Sequence, residues 1–352
     1  MHVLCYFTRK CKFERRVFRL GLATIFVFDK KMVEEVHPGH IIWMTLLFPC
    51  CVIIILVNGA CIIALFRVKS MNPSTKVWMM SMLIADVCLG VFVCLPHALV
   101  GIVSARSERH QKIACFAYFF FSTATLTIGV LSLVFIAIDR YVAVVRPFRY
   151  VETFTKSRAL VLVALVWIFG LVEPNLRLIL FGSDVRIGLH FGIARWCDPS
   201  GNLTTMSIKT ASYKDWMPVV VNIVFITASF LILLGIYTRL FCISQQHINK
   251  IAAMQINNNQ NEKRQSQFRS IRTFLFVTVT YFVAWTPFLF IMTYEMCTGV
   301  RVSEKVKFLA DFLTYLNAWL NCLVYFIRNG EIRKSFREIR KHVFGRCLRI
   351  QN

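Results

Sequence analysis

The sequence predicts an all-α membrane protein, a seven-transmembrane helix bundle followed by a short amphipathic helix eight. Three observations predict it. First, 57% of its 352 residues are hydrophobic and only 17% are charged, with a mean hydropathy of +0.60, which is too apolar for an ordinary soluble chain of this length. Second, long apolar runs recur at about 41–66, 77–100, 113–138, 159–181, 216–242, 273–294 and 306–327, and twenty helical residues at 1.5 Å each cross the roughly 30 Å hydrocarbon layer. Third, Lys and Arg gather in alternate connections. Runs of this length satisfy their own backbone as helices, whereas a barrel would show ten-residue alternation.

Residues 1–40 come first and carry eight Lys or Arg against four acids, with one short apolar stretch at 20–28 and no small-x-small cleavage site after it. They are expected to form an uncleaved extracellular tail. The seven-span bundle then occupies 41–327, and 328–352 is expected to be cytosolic. The connections at 67–76, 139–158 and 239–272 and the carboxyl end hold the larger excess of basic residues, so they are placed in the cytosol and the amino terminus outside, giving a multi-pass plasma-membrane topology. On the outer side fall the sequon Asn202-Leu203-Thr204, a candidate glycosylation site at Asn202, and the pair Cys115 and Cys197. A bridge between these two cysteines would tie the fourth-to-fifth connection to the top of span three. Cys50, Cys51, Cys61, Cys88, Cys94 and Cys322 lie inside apolar runs and are expected to be buried free thiols.

Span three ends in Asp139-Arg140-Tyr141, followed by Arg146-Pro147-Phe148. With Asn58 in span one, Leu83-Ile84-Ala85-Asp86 in span two, Trp167 in span four, Tyr237 in span five, Trp285-Thr286-Pro287 in span six and Asn321-Cys322-Leu323-Val324-Tyr325 in span seven, this ordered set resembles the rhodopsin-like (class A) G protein-coupled receptors. The resemblance covers roughly residues 41–344. It implies a receptor that senses an extracellular ligand and promotes nucleotide exchange on a heterotrimeric G protein, with arrestin and receptor kinases as further partners.

The same residues carry physical expectations of their own. Asp86 is a carboxylate near mid-membrane, so it should face the bundle interior with Asn58, Asn317 and Asn321. This is either a structural hydrogen-bond network or, by resemblance, one that responds to sodium. Gly129 stands where the family commonly carries Ser, which removes one oxygen ligand and weakens the expectation of sodium. Arg140 is either a flanking cation or, by resemblance, the partner of Asp139 at rest that turns toward Tyr237 and Tyr325 on activation. The acidic partner that family members often carry at the foot of span six is replaced by Gln267, so measurable ligand-free signalling is expected. Pro287 should kink span six below Trp285. Tyr281 and Val130 replace the usual Phe and Ile, Ser229 the mid-span Pro of span five, and Cys322 the Pro of span seven.

By family register, Phe121, Ser122, Leu126, Trp285, Phe288, Leu289, Met292, Asp311 and Tyr315 face the ligand pocket. Ser122 occupies the place of the monoamine-anchoring Asp, and Tyr315 that of the retinal-bearing Lys, so neither anchor is present. Asp311 interrupts an otherwise apolar stretch and has Tyr315 at i+4. Its counter-charge is either internal, from Lys307, Arg177 or an outer-loop base, or belongs to a cationic ligand. The outer bases Arg106, Arg109, Lys112, Arg186, Arg195 and Lys209 would repel a polybasic peptide and attract a nucleotide, acidic peptide or lipid phosphate, while a small monocation could still reach Asp311 once screened, so a small amine-like molecule and a peptide both stay open.

At the cytosolic side, Ile332, Phe336, Ile339 and Val343 recur at helical spacing among Lys and Arg, as in an interfacial amphipathic helix. Cys347 beyond it is a palmitoylation candidate or a free thiol. The formal charge of +23 lies mostly between spans and at the two ends, which fits lipid phosphates as partners and not nucleic acid. No internal repeat suggests a transporter, and no converging nucleophile, base or metal cluster suggests an enzyme. A non-signalling or decoy receptor stays open because two activation prolines are replaced.

Overall fold

The structure is a computed structural model that describes residues 38–69, 71–96, 98, 108–181, 213–254, 258–298, 300, 302–328 and 330–338. The chain divides into two units, Met1–Thr45 and Leu46–Asn352, and the second holds the bundle. The helices are α1 (Pro38–Arg67), α2 (Pro73–Leu89) continued by a π-turn at Gly90–Cys94, α3 (Glu108–Val145), the short α4 (Pro147–Thr153), α5 (Lys156–Phe181), α6 (Tyr213–Met254), α7 (Asn258–Thr298) and α8 (Glu304–Arg328). A last helical piece covers 330–338. Spans one to seven are therefore α1, α2, α3, α5, α6, α7 and α8.

Six of these helices are long and apolar enough to cross a bilayer on composition alone. Span seven is the exception, and its burial explains why. Lys307, Asp311, Tyr315, Asn317, Asn321 and Tyr325 are buried, while Val306, Leu309, Leu323, Phe326 and Ile327 are exposed. Its polar side chains thus face the bundle and its apolar ones face lipid, so overall hydropathy understates how well it suits a membrane. Among the described residues every element is a helix, a turn or a connection.

Span three is the axis, packed against spans two, four, five and six. Trp78 stacks on Phe135 with ring centroids 4.5 Å apart. Trp167 Nε1 donates to Ser81 Oγ at 3.0 Å, and Ser81 shares a hydrogen bond of the same length with Ser132, so spans two, three and four are joined at one level. Gly170 permits the close approach of span four: a Cβ there would stand 2.5 Å from Ile128 Cγ1. In span two the π-turn adds a residue to the helical course and re-aims the side chains beyond it. Val93 and Cys94 become buried, and Phe92 stacks on Phe121 at 4.7 Å.

The 330–338 piece shows what the amphipathic spacing is for. Ile332 is buried, Phe336 meets Phe326 edge to face at 5.1 Å, and Ser335 Oγ donates to the Ala64 carbonyl at 3.0 Å. Helix eight was expected over 328–344. Residues beyond 338 lie outside the described ones, as do 1–37, Cys197, Asn202, Cys347 and the side chain of Cys115. One expectation is corrected. Cys61 and Cys322 are not free thiols: they form a disulfide between spans one and seven, with Cα atoms 6.4 Å apart. Two apolar runs with a cysteine each cannot reveal that the helices face one another at those residues.

Candidate functional site

A cavity of about 170 Å³ lies between spans two, three, five, six and seven. Ser122 and Leu126 on span three, Trp285, Phe288 and Met292 on span six, and Asp311 and Tyr315 on span seven all line it. The sequence reading thus places most of its pocket residues where they meet. Phe121 and Leu289 do not line it: Phe121 turns to Phe92, and Leu289 packs on the hydrophobic core. Helical register taken from a family pattern is uncertain by a fraction of a turn, and the π-turn of span two shifts the facing wall.

One end of the cavity is polar and aromatic. Tyr118, one helical turn before Ser122, shares a 2.9 Å hydrogen bond with Tyr315 across the cavity wall. Asp311 is 4% exposed. Lys307, one candidate partner in the sequence, pairs with Glu295: Lys307 Nζ stands 2.8 Å from Glu295 Oε1, which also accepts from the Val302 backbone N–H at 2.7 Å. Lys307 does not line the cavity. Among the described residues that do line it, Asp86 and Asp311 are the acidic ones, and no Lys, Arg or His is present. The cavity therefore favours positive charge. Tyr118, Phe119, Trp285 and Phe288 supply aromatic walls on which a cation gains further attraction.

The other end holds the polar network. Asn58 Nδ2 donates to the Ile54 and Ala318 carbonyls at 3.0 and 3.1 Å, and Asp86 shares a side-chain hydrogen bond with Asn321. Asp86, Asn317 and Asn321 line the cavity. Among the described residues, one oxygen on each of them is buried with no donor, so the site presents acceptors only. Such a set suits a hard cation such as sodium. A Cβ built on Gly129 meets nothing within 4 Å, and Gly129 lines the same space, so this position offers room where an oxygen ligand is missing. Above the network, Tyr281, Trp285 and Phe288 form an aromatic column along span six, with centroids 5.9 and 5.7 Å apart, just before and after Pro287, which lies inside the continuous helix.

At the far end of span three, Asp139 is fully buried. Arg140 Nε donates to Asp139 Oδ2 at 3.0 Å, Thr75 Oγ1 donates to the same oxygen at 2.6 Å, and Tyr150 donates to Oδ1 at 3.0 Å. Arg140 also reaches Thr75 and, at 3.3 Å, the Tyr150 hydroxyl. Burial pushes the Tyr150 phenol up to about 12, so it stays protonated and able to donate. Local sequence builds this cage. Asn72 Oδ1 caps span two by accepting from the Ser74 N–H at 2.9 Å, with Pro73 at the first turn, which brings Thr75 to Asp139. Pro147 opens α4, whose one buried residue is Tyr150. The sequence reading identifies the Asp139–Arg140 pair and misses Thr75 and Tyr150. The signals were the Asn72-Pro73 cap and a Tyr three residues after a helix-starting Pro.

Tyr237, Tyr325, Tyr141 and Ser229, also singled out in the sequence, have partners of their own. Tyr237 is buried and hydrogen-bonded to Thr278 on span six, and the Tyr325 hydroxyl points to Met82 Sδ at 3.8 Å. Tyr141 packs on the core. Ser229, in place of a proline, bonds back to the Phe225 carbonyl at 2.8 Å.

Comparison with known proteins agrees with this geometry. The pattern of the 7 transmembrane receptor (rhodopsin family) matches residues 57–325. The chain is similar to the Probable G-protein coupled receptor 21 of Mus musculus, 24% identical over 282 residues that cover 78% of this chain and 76% of the relative. It is similar also to Trace amine-associated receptor 13c of Danio rerio, 23% identical over 290 residues and covering 80% of each chain. The Histamine H2 receptor of Homo sapiens is 24% identical over 290 residues, covering 81% of this chain and 73% of the relative.

Proposed function

The chain belongs to the 7 transmembrane receptor (rhodopsin family), whose members transduce signals and are not enzymes, and from that premise we propose that it is a plasma-membrane receptor for a small amine-like cation. In this reading residues 1–40 form the tail outside, 41–327 the receptor bundle, and 328–352 helix eight and the cytosolic tail. The observation that carries the ligand class is the lining of the cavity: Asp311 and Asp86 are part of it, and no basic side chain is, among the described residues. The amine anchor is moved from span three, where Ser122 stands, to Asp311 on span seven. Two similar proteins are named for trace amines and histamine, which favours this class over a peptide. Screening a library of amines and peptides for nucleotide exchange on a co-expressed G protein tests it. An amine agonist is expected, and a response confined to anionic or peptide ligands would overturn the reading.

Receptor output follows from a shift between two arrangements. Ligand held between Asp311 and the Trp285–Phe288 wall biases span six, which bends at Pro287. Arg140 then leaves Asp139, Thr75 and Tyr150 for Tyr237 and Tyr325, and the opened end admits a segment of the heterotrimeric G protein. Phe148 is 92% exposed on α4, directly beside this cage, and forms an apolar knob on the proposed cytosolic face. Phe148→Ala is expected to lower agonist-driven exchange by about tenfold, as for a hot-spot contact, with agonist affinity unchanged in G-protein-free membranes.

A sodium ion would be held by Asp86, Asn317 and Asn321, where it would neutralise the buried carboxylate and favour the resting arrangement. Gly129→Ser adds a hydroxyl in open space beside them. It is expected to lower the sodium concentration that suppresses ligand-free exchange by about tenfold, the worth of one charge-assisted contact. An unchanged sodium titration would show that the space at Gly129 does not adjoin a cation.

A further inference from the structure

We propose that the Cys61–Cys322 disulfide is a redox-sensitive tether that limits the movement of span seven, so that the oxidised and reduced forms of this receptor signal at different levels. The inference rests on the proposed receptor function for its signalling consequence, and on geometry for the tether itself. Cys322 sits between Asn321 and Tyr325, in the stretch where the resembled receptors carry a kinking proline. It is one helical turn before the tyrosine that must leave Met82 to reach Arg140. A covalent bond there holds the span-seven backbone to span one.

The bond is the middle of three ties along one face of span one. One turn earlier, Asn58 Nδ2 donates to the Ala318 carbonyl at 3.1 Å, and one turn later the Ala64 carbonyl accepts from Ser335 Oγ at 3.0 Å. The outer two are hydrogen bonds, which exchange partners readily. The middle one does not open without chemistry, so it decides whether span seven and the 330–338 piece move with span one or apart from it.

The reduced form also has a place in the fold. Cys322 Sγ lies 3.3 Å from the Val57 carbonyl and Cys61 Sγ 3.9 Å from the Cys322 carbonyl, so each thiol would find an acceptor for its weak S–H donor. Among the described residues Cys50, Cys51, Cys88, Cys94, Cys242 and Cys297 remain thiols, even though Cys51 and Cys94 approach each other between spans one and two. Formation requires a two-electron oxidant able to enter an apolar site, and a neutral hydroperoxide meets that need. One sulfur takes the distal peroxide oxygen as a sulfenic acid, releasing an alcohol or water. The second sulfur then displaces water, leaving the S–S bond. A small dithiol reverses it by thiol–disulfide exchange, transferring two electrons and two protons and closing to its own cyclic disulfide. Both sulfurs are buried, so exchange is slow, and the tether sets a standing level of activity.

The test uses the full-length chain in membranes, before and after dithiothreitol, beside Cys61→Ala and Cys322→Ala. Alkylation and mass spectrometry count free thiols at the two positions, hydrogen exchange reads 318–328, and purified G protein reads ligand-free nucleotide exchange. Reduction of the wild type is expected to expose both thiols, speed hydrogen exchange in 318–328 and raise nucleotide exchange on the order of threefold, well within what a cross-link can restrain. Each variant should begin at the raised level and ignore dithiothreitol. Free thiols at both positions before reduction, unchanged hydrogen exchange, or a dithiothreitol response that survives in Cys61→Ala would each overturn the tether. Faster hydrogen exchange with no nucleotide exchange in any sample, agonist included, would leave the tether standing and overturn the receptor reading instead.

Discussion

Asp311→Asn is expected to raise the concentration of an amine agonist needed for half-maximal nucleotide exchange by about a hundredfold, the cost of losing one partner of a desolvated charge pair. The side chain is buried at the cavity wall, and among the described residues no basic group lines that cavity to take over the charge. Asparagine keeps the shape and one acceptor oxygen, so Tyr118 and Tyr315 can stay bonded to one another. The loss should therefore appear in potency and not in surface expression. Uncharged analogues of the agonist should lose potency on the wild type and none further on Asp311→Asn, which separates an ion pair from a packing defect. If the charged agonist is equally potent on both receptors, Asp311 is not the anchor. Glu295→Gln is the control: it removes the carboxylate that pairs with Lys307 near the same end of span seven and should also weaken a cation, but by less, because Glu295 and Lys307 stand outside the lining.

How much of this was legible in the sequence depends on whether a feature is local. Hydrophobic runs and basic connections reveal the spans because each helix must satisfy lipid by itself. Span seven is legible as the apolar run 306–327 despite its charges, and the ordered motifs continue through it. Asp311 is legible as an anomaly, a carboxylate interrupting an apolar run. What it faces is not, because Glu295, which pairs with Lys307, belongs to another helix. Thr75 and Tyr150 are ordinary residues until span two and α4 bring them to Asp139. Phe121 stacks on Phe92 within the π-turn of span two, a pairing that no composition signal marks. Cys61 and Cys322 are 261 residues apart, and pairing at that distance is a property of packing alone.

Asp139→Asn is expected to raise ligand-free nucleotide exchange by about tenfold, because it removes the charge that holds Arg140 at rest. Loss of one member of a buried ion pair costs about 3–5 kcal/mol in the arrangement that depended on it, and only part of that need fall on the resting state to shift the balance tenfold. The cage makes the prediction graded. Tyr150→Phe removes one donor to Asp139 Oδ1 and Thr75→Ala one donor to Oδ2, and neither alters the pair between Asp139 and Arg140. Each should raise basal exchange by only a few-fold, a neutral hydrogen bond's share. The effect of Asp139→Asn should also exceed what this chain already shows at rest. Among the described residues, Asp139 is the acid that pairs with Arg140, so the proposed restraint on opening is concentrated in the Asp139 cage and in the Tyr237–Thr278 bond. Arg140→Ala supplies the opposite sign: with no cation to meet Tyr237 and Tyr325, both basal and agonist-driven exchange should fall toward the level of receptor-free membranes. Equal basal exchange in wild type, Asp139→Asn and Tyr150→Phe would mean that the cage is a structural brace at the end of span three and that the resting state is held elsewhere.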